Sequence, residues 1–254
     1  MIKYHGTPFS GGSQTAIRSL AGKHAMVSFA APKQIDIVAE MCQSFCIDNG
    51  AFTAWKQGTR YDMEKYAEFI HKWHKHPGFD WYILPDVIDG TADDNMAMIA
   101  KWRTVIGDYK VFGKGVPVWH MHEPLEVLKT LCHAYDRVAL GSSGEYAVVG
   151  DPKWWGRMAD AMDVCTDEHG MPNAKLHGLR MLDPTVFSHL PLASADSTNV
   201  ARNIGMDGRW KGPYTPASKE TRAAILMERI EGHAAAARWA GSGVGAAPNG
   251  ELFG

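Results

Sequence analysis

The chain has 254 residues, 45% hydrophobic and 21% charged, which is enough apolar material for a large core in an ordinary globular protein. A net charge of -2 supplies no global basic field, so a polyanionic partner would have to meet a local patch. No apolar run approaches the ~20 residues of a membrane span, the N-terminus lacks a signal-peptide pattern, and the scattered Cys42, Cys46, Cys132 and Cys165 form neither a disulfide framework nor a C-x-x-C zinc pair. A cytosolic, thiol-reduced protein is expected.

Strand-like and helix-like runs alternate along the chain. Ile2 to His5 is the first strand, followed by a short helix from about Ser13 to Ala21. Ala25 to Phe29 is the second strand, and Pro32 opens a helix that runs to about Met41. The third strand, Phe45 to Asp48, is a buried-looking apolar run that ends in a carboxylate and Asn49-Gly50 punctuation. Met63, Tyr66, Phe69, Ile70 and Trp73 then mark a helix from Asp62 to Trp73.

Trp81 to Asp86 is a fourth strand ending in an acid, and Thr91 with Asp93 and Asp94 caps a helix to about Ile106. Val116 to His120 is the fifth strand, with Glu123 and Pro124 starting a helix to Ala134. Arg137 to Ser142 is the sixth, followed by a helix from Asp151-Pro152 to about Cys165. Lys175 to Arg180 is the seventh, then a short helix at Asp183-Pro184. Leu192 to Asp196 is the eighth, entering a helix near Thr198, and a final helix is expected from Lys219 to Ala240.

Eight such repeats without a linker predict a (β/α)8 TIM barrel with an extra C-terminal helix: residues 1–240 as a single domain and 241–254 as a flexible tail. The absence of a G-x-G-x-x-G turn counts against the doubly wound open sheet.

A barrel of this kind places its site where strands end. The ends here are His5, Ser28, Asp48, Asp86, His120, Gly141-Ser142, His177-Gly178 and Asp196. Any one of these could be a helix cap or a satisfied core polar group, but three acids and several histidines on one rim exceed structural need. Three chemistries fit them. A metal-dependent hydrolase could use His120, His122 and Asp196. Carboxylate chemistry at a sugar C1′ could divide nucleophile and proton transfer between Asp196 and Asp48. A non-catalytic barrel could use the rim to bind a base or nucleoside, or to serve as a partner subunit.

The order of rim motifs resembles the tRNA-guanine transglycosylase superfamily, whose members exchange guanine in nucleic acid for a 7-deazaguanine. Ile47-Asp48-Asn49-Gly50-Ala51-Phe52 is similar to the family's Asp-Ser-Gly-Gly-Phe/Tyr segment, whose Asp is the general acid/base. Leu84-Pro85-Asp86 falls where the family has a base-recognising Asp. Val118-Trp119-His120 falls where it has a base-reading Gln, and Leu140 to Glu145 looks like its Gly-rich base-binding strand end. Asp196, in Ser194-Ala195-Asp196-Ser197-Thr198, matches its nucleophile.

The likeness spans roughly residues 44 to 200. It implies a glycosyltransferase with Asp196 and Asp48 catalytic, and with Asp86, His120, Gly141, Ser142 and Phe52 around the base. His177 and Arg180 would contact a sugar or phosphate. The implied partners are nucleic acid and a base such as preQ0 or preQ1; a homodimer stays open. The family's zinc site, a Cys cluster and His after the nucleophile strand, has no counterpart, because the last cysteine is Cys165. No cofactor is therefore expected. His120 replaces the Gln, while Asn49 and Ala51 replace small residues. This compact form resembles the DNA-directed, phage-type branch, which would act in the host cytoplasm. Arg202, Arg209, Lys211, Lys219 and Arg222 outnumber Asp207 and Glu220 beyond the nucleophile, a local excess suited to phosphate contacts.

Overall fold

The computed structural model describes residues 1–9, 16–205 and 215–241. Within them nine parallel strands form a barrel: β1 (Ile2–Gly6), β2 (His24–Ser28), β3 (Ser44–Asp48), β4 (Phe79–Ile83), β5 (Gly115–Val116), β6 (Val118–His120), β7 (Arg137–Gly141), β8 (Lys175–Gly178) and β9 (Ser194–Ser197). Their spatial order is β5-β4-β3-β2-β1-β9-β8-β7-β6, so the two ends of the sheet are β5 and β6, separated by Pro117 alone.

Proline has no N–H to give a ladder, which splits the expected fifth strand into these two pieces. The flanking carbonyls still carry the sheet across. Val116 O accepts from Leu84 N at 2.9 Å on one side, and Pro117 O from Ala139 N at 2.9 Å on the other. The expected (β/α)8 barrel is thus the observed one, nearly closed around its fifth position.

Helices cover the outside: α1 (Ile35–Met41), α2 (Ala51–Gln57), α3 (Met63–Trp73), α4 (Ala92–Ile106), α5 (Tyr109–Phe112), α6 (Leu125–Ala134), α7 (Pro152–Cys165), α8 (Pro184–Phe187), α9 (Asn199–Asn203) and α10 (Lys219–Glu231). Capping behaves as the sequence suggests. Asp62 accepts from Lys65 N at 3.0 Å, Asp151 accepts from Trp154 N at 2.7 Å, and Thr91 with Asp94 forms a reciprocal box. The short α2 and α5 have no counterpart in the sequence reading, and the expected first helix is a 3-10 turn over Ala16–Leu20.

The final helix stops at Glu231 rather than Ala240. Gly232 ends it, its N–H donating to Glu228 O at 3.0 Å, and the following residues dock elsewhere. Trp239 gives its backbone N–H to Gly170 O at 2.8 Å and its indole N–H to Asp163 Oδ1 at 2.6 Å. Those tertiary bonds override the helix preference of the alanine run. The tail beyond residue 241 lies outside the described residues.

One parity rule decides which strand residues face the site, because successive side chains alternate across a sheet. Tyr4, Met26, Cys46, Trp81, Ile83, Val116, Val118 and Ala139 pack together inside the barrel. Their neighbours Phe45, Ile47, Tyr82, Trp119, Leu140, Leu176 and Ala195 belong to the larger core beneath the helices. Asp48, His120, Gly141, His177 and Asp196 share the inward parity. His5 and Ser142 do not.

Candidate active site

Asp48 ends β3, two residues beyond inward-facing Cys46. Its Oδ2 accepts from Ser28 Oγ at 2.8 Å and from Gly50 N at 3.1 Å. Gly50 sits at φ 77°, and a Cβ there would lie 2.8 Å from Ala30 N, so this turn requires glycine. Burial pushes the Asp48 carboxyl up to about 6, with Asp196 and Asp86 raising it further against the two hydrogen bonds that lower it. A carboxyl in that range can hold and release a proton near neutral pH.

The residue after it, Asn49, is buried and acts as a staple. Its Nδ2 donates to Leu84 O at 2.7 Å and to Asp86 Oδ1 at 2.6 Å, while its Oδ1 accepts from Ala51 N at 2.8 Å. Asp86 lies past the end of β4, where strand parity no longer aims it; Asn49 does so instead. The other Asp86 oxygen, Oδ2, is 2.9 Å from His120 Nε2, a close contact turned off the hydrogen-bond axis. His120 is itself fixed from behind, its backbone N–H donating to Glu123 Oε2 at 2.9 Å, and Glu123 Oε1 accepts from Asn95 at 2.9 Å. Gly141 lies against this ring, since a Cβ there would stand 3.4 Å from His120 Nδ1.

Across the mouth, Asp196 on β9 is only 6% exposed. Its Oδ1 accepts from Arg180 N at 3.0 Å and lies 3.4 Å from His177 Nε2. Arg180 takes a left-handed backbone, φ 62°, which is uncommon for a residue with a side chain. Its guanidinium carbon sits 3.7 Å from the ring centre of Phe52, which is 37% exposed on α2 beside Trp55. Arg180 therefore reaches from the Asp196 side of the mouth to the Asp48 side.

Several expected residues are placed differently. His177 is fully enclosed, its ring edge-on to Trp81 at 4.7 Å, so it has no surface for a sugar or phosphate. It sits beside Asp196 instead. Ser142 turns outward, its Oγ accepting from Trp154 Nε1 on α7 at 2.9 Å. His5 also points outward, its Nε2 2.9 Å from Glu231 Oε1 on α10. His122 spends Nδ1 on Ser143 Oγ at 2.7 Å and Nε2 on Gly90 O at 2.9 Å, leaving neither nitrogen for a chelate with His120.

Arg202 is exposed on α9, and Lys219 half-exposed at the start of α10. Arg222 is engaged in holding the backbone, donating to Pro216 O at 2.5 Å and Ile204 O at 3.2 Å. Arg209 and Lys211 lie outside the described residues. Among the described residues no three His, Cys, Asp or Glu side chains gather as metal ligands, and Cys132 and Cys165 are buried.

Residues given no role at the site by the sequence complete it. Ser28 and Asn49 bond the acids, Glu123 supports His120, and Tyr61 carries a buried hydroxyl with no hydrogen-bond partner among the described residues. Burial drives Tyr61 strongly against ionisation, and the charges of Asp86 and then Asp48 add to that. Beside it lies a cavity of about 290 Å³, lined by Phe29, Asn49, Gly50, Thr53, Arg60 and Tyr61 among others. Compared with known proteins, the chain matches no family model and no curated sequence.

Proposed function

We propose that the protein is a base-exchange transglycosylase acting on guanine in nucleic acid, with DNA preferred over tRNA, and that it inserts a 7-deazaguanine. The observation that carries the reading is the pairing of two unlike carboxyls on one rim. Asp48 is held in the proton-carrying range by burial, with Asp196 and Asp86 adding to it, whereas Asp196 offers a carboxyl anchored through one oxygen. An acid and a nucleophile on opposite sides of a mouth are what displacement at an anomeric carbon needs.

In this mechanism the target nucleotide leaves its stack, at a cost of a few kcal/mol, so that its C1′ reaches the mouth. Asp196 attacks C1′ and the glycosidic bond breaks. The electron pair leaves with guanine, which takes the Asp48 proton, and an ester joins Asp196 to the sugar. Asp48 is then ionised and takes a proton from the incoming base. That base attacks C1′ and releases Asp196. Asp86, aligned by Asn49, accepts from the N–H edge of a guanine-like base, with His120 beside it. Phe52 presents an exposed ring for stacking once Arg180 swings off it. Arg180, Arg202 and Lys219 supply cations for the phosphates.

Incubation with guanine-containing DNA and preQ0, followed by nucleoside mass spectrometry, tests the reading. The expected result is a 7-deazaguanine nucleoside in DNA with release of an equal amount of guanine. A parallel tRNA arm decides the polymer. Absence of exchange in both polymers, with or without preQ1 in place of preQ0, would refute the proposal. Binding of the base without turnover, unaffected by loss of Asp48 and Asp196, would identify a binding barrel instead.

A further inference from the structure

We infer that Arg137, Ser194 and His177 form a positioning relay that fixes which oxygen of Asp196 is free to attack. The relay's consequence for catalysis rests on the base-exchange reading; its geometry does not. The three side chains face inward from β7, β9 and β8, on the parity that also aims Asp196.

Hydrogen bonds run one way along it. Arg137 Nη1 donates to Ser194 Oγ at 2.8 Å, and a guanidinium can only donate. The serine must still place its own hydroxyl proton, and His177 Nδ1 lies 2.9 Å away. If Nδ1 accepts, the neutral ring carries its proton on Nε2, the nitrogen 3.4 Å from Asp196 Oδ1. The opposite tautomer would leave the hydroxyl proton without an acceptor and press a lone pair against a carboxylate. Both penalties fall on buried groups, where an unmet polar atom is costly.

The result distinguishes the two oxygens of Asp196. Oδ1 accepts from the Arg180 backbone N–H at 3.0 Å and lies 3.4 Å from His177 Nε2, a close polar contact turned off the hydrogen-bond axis, while Oδ2 accepts no hydrogen bond among the described residues. Oδ2 is the attacking atom. The ring works as a dipole rather than a cation. Ser194 and Asp196 face it from β9, Arg137 from β7, Tyr4 from β1 and Trp81 from β4; of these only Asp196 favours a charged ring. Burial lowers the His177 pKa against the pull of Asp196, and Arg137 adds to the lowering. A neutral donor orients the carboxylate without neutralising the nucleophile, as an imidazolium would.

Nitrogen NMR of the His177 ring in the wild-type protein, without nucleic acid, reads the tautomer directly. Protonation on Nε2 is expected, and protonation on Nδ1 would overturn the relay. In single-turnover assays Ser194→Ala should slow covalent attachment by about tenfold or more while leaving oligonucleotide Kd unchanged. His177→Gln, which keeps a donor near the Nε2 position, should recover most of the rate lost in His177→Ala. A wild-type rate of covalent attachment in Ser194→Ala, or a His177→Gln variant no faster than His177→Ala, would refute the relay. The two readings fail separately: a wild-type protein that forms no adduct refutes base exchange, whereas an Nδ1-protonated ring refutes the relay.

Discussion

The two sides of the barrel mouth carry the same functional group and treat it in opposite ways. On the β2–β4 side, Asp48 takes its hydrogen bonds from Ser28 and Gly50, but burial and two facing acids hold its carboxyl up at about 6. On the β8–β9 side, the Asp196 carboxylate sits among a backbone N–H, a neutral imidazole and, one step further, the Arg137 guanidinium. Identical side chains are thus given different surroundings, and in the proposed exchange that difference divides them into proton carrier and nucleophile.

Breaking the Asp48 side should have the larger measurable consequences. Asp48→Asn removes the proton carrier and should lower exchange by about 10²- to 10⁴-fold, leaving nucleic-acid binding intact. It should also stabilise the fold. The Asp48 carboxyl rises from 3.8 to about 6 on folding, so the proton it binds stabilises the native state at low pH and that contribution is lost as pH rises through this window. Asparagine has no proton to lose, so the variant should be more stable at pH 7 by about 1–3 kcal/mol. The gain should vanish below roughly pH 4, near the unfolded pKa. Urea unfolding at pH 7 and pH 4 measures both; an equal gain at both values would contradict the assigned shift.

Removing the third acid sharpens the comparison, because the proposed exchange gives Asp86 the base to hold and neither the attack nor the proton. Asp86→Asn should raise KM for the base by about ten- to a hundredfold, the cost of one charged hydrogen bond, with a smaller effect on kcat. A drop in kcat at constant KM would move Asp86 into the chemistry.

The smallest effect expected is on the turn that carries Asp48. Gly50→Ala forces a side chain into a left-handed conformation against Ala30 and should destabilise the fold by about 1–3 kcal/mol. Thermal unfolding tests it; an unchanged Tm would mean that the turn relaxes freely.

The strand and helix order was legible because each repeat carries its own punctuation, from Asn49-Gly50 after β3 to Thr91 before α4. The three acids stood out because each closes an apolar run. Which histidines reach the mouth was not legible. Barrel strands are buried on both faces, so alternation reveals two sets without saying which is inside. His5 and His177 look alike in sequence, yet one faces α10 and the other Asp196. Asn49 was hidden for a different reason: a turn residue gives no local sign that its amide will bridge to Leu84 and Asp86, 35 and 37 residues away. The run of α10 was over-read because alanine-rich residues after Gly232 favour helix in isolation and lose to the docking of Trp239.

The most direct test of the division between the two acids is to trap the covalent step. Wild-type protein mixed with guanine-containing DNA, or with tRNA, is denatured, and the attachment site is mapped by peptide mass spectrometry. The account predicts a denaturation-resistant adduct on Asp196 that Asp196→Asn fails to form. No adduct with either polymer, an adduct mapped to Asp48, or one formed equally well by Asp196→Asn would contradict it.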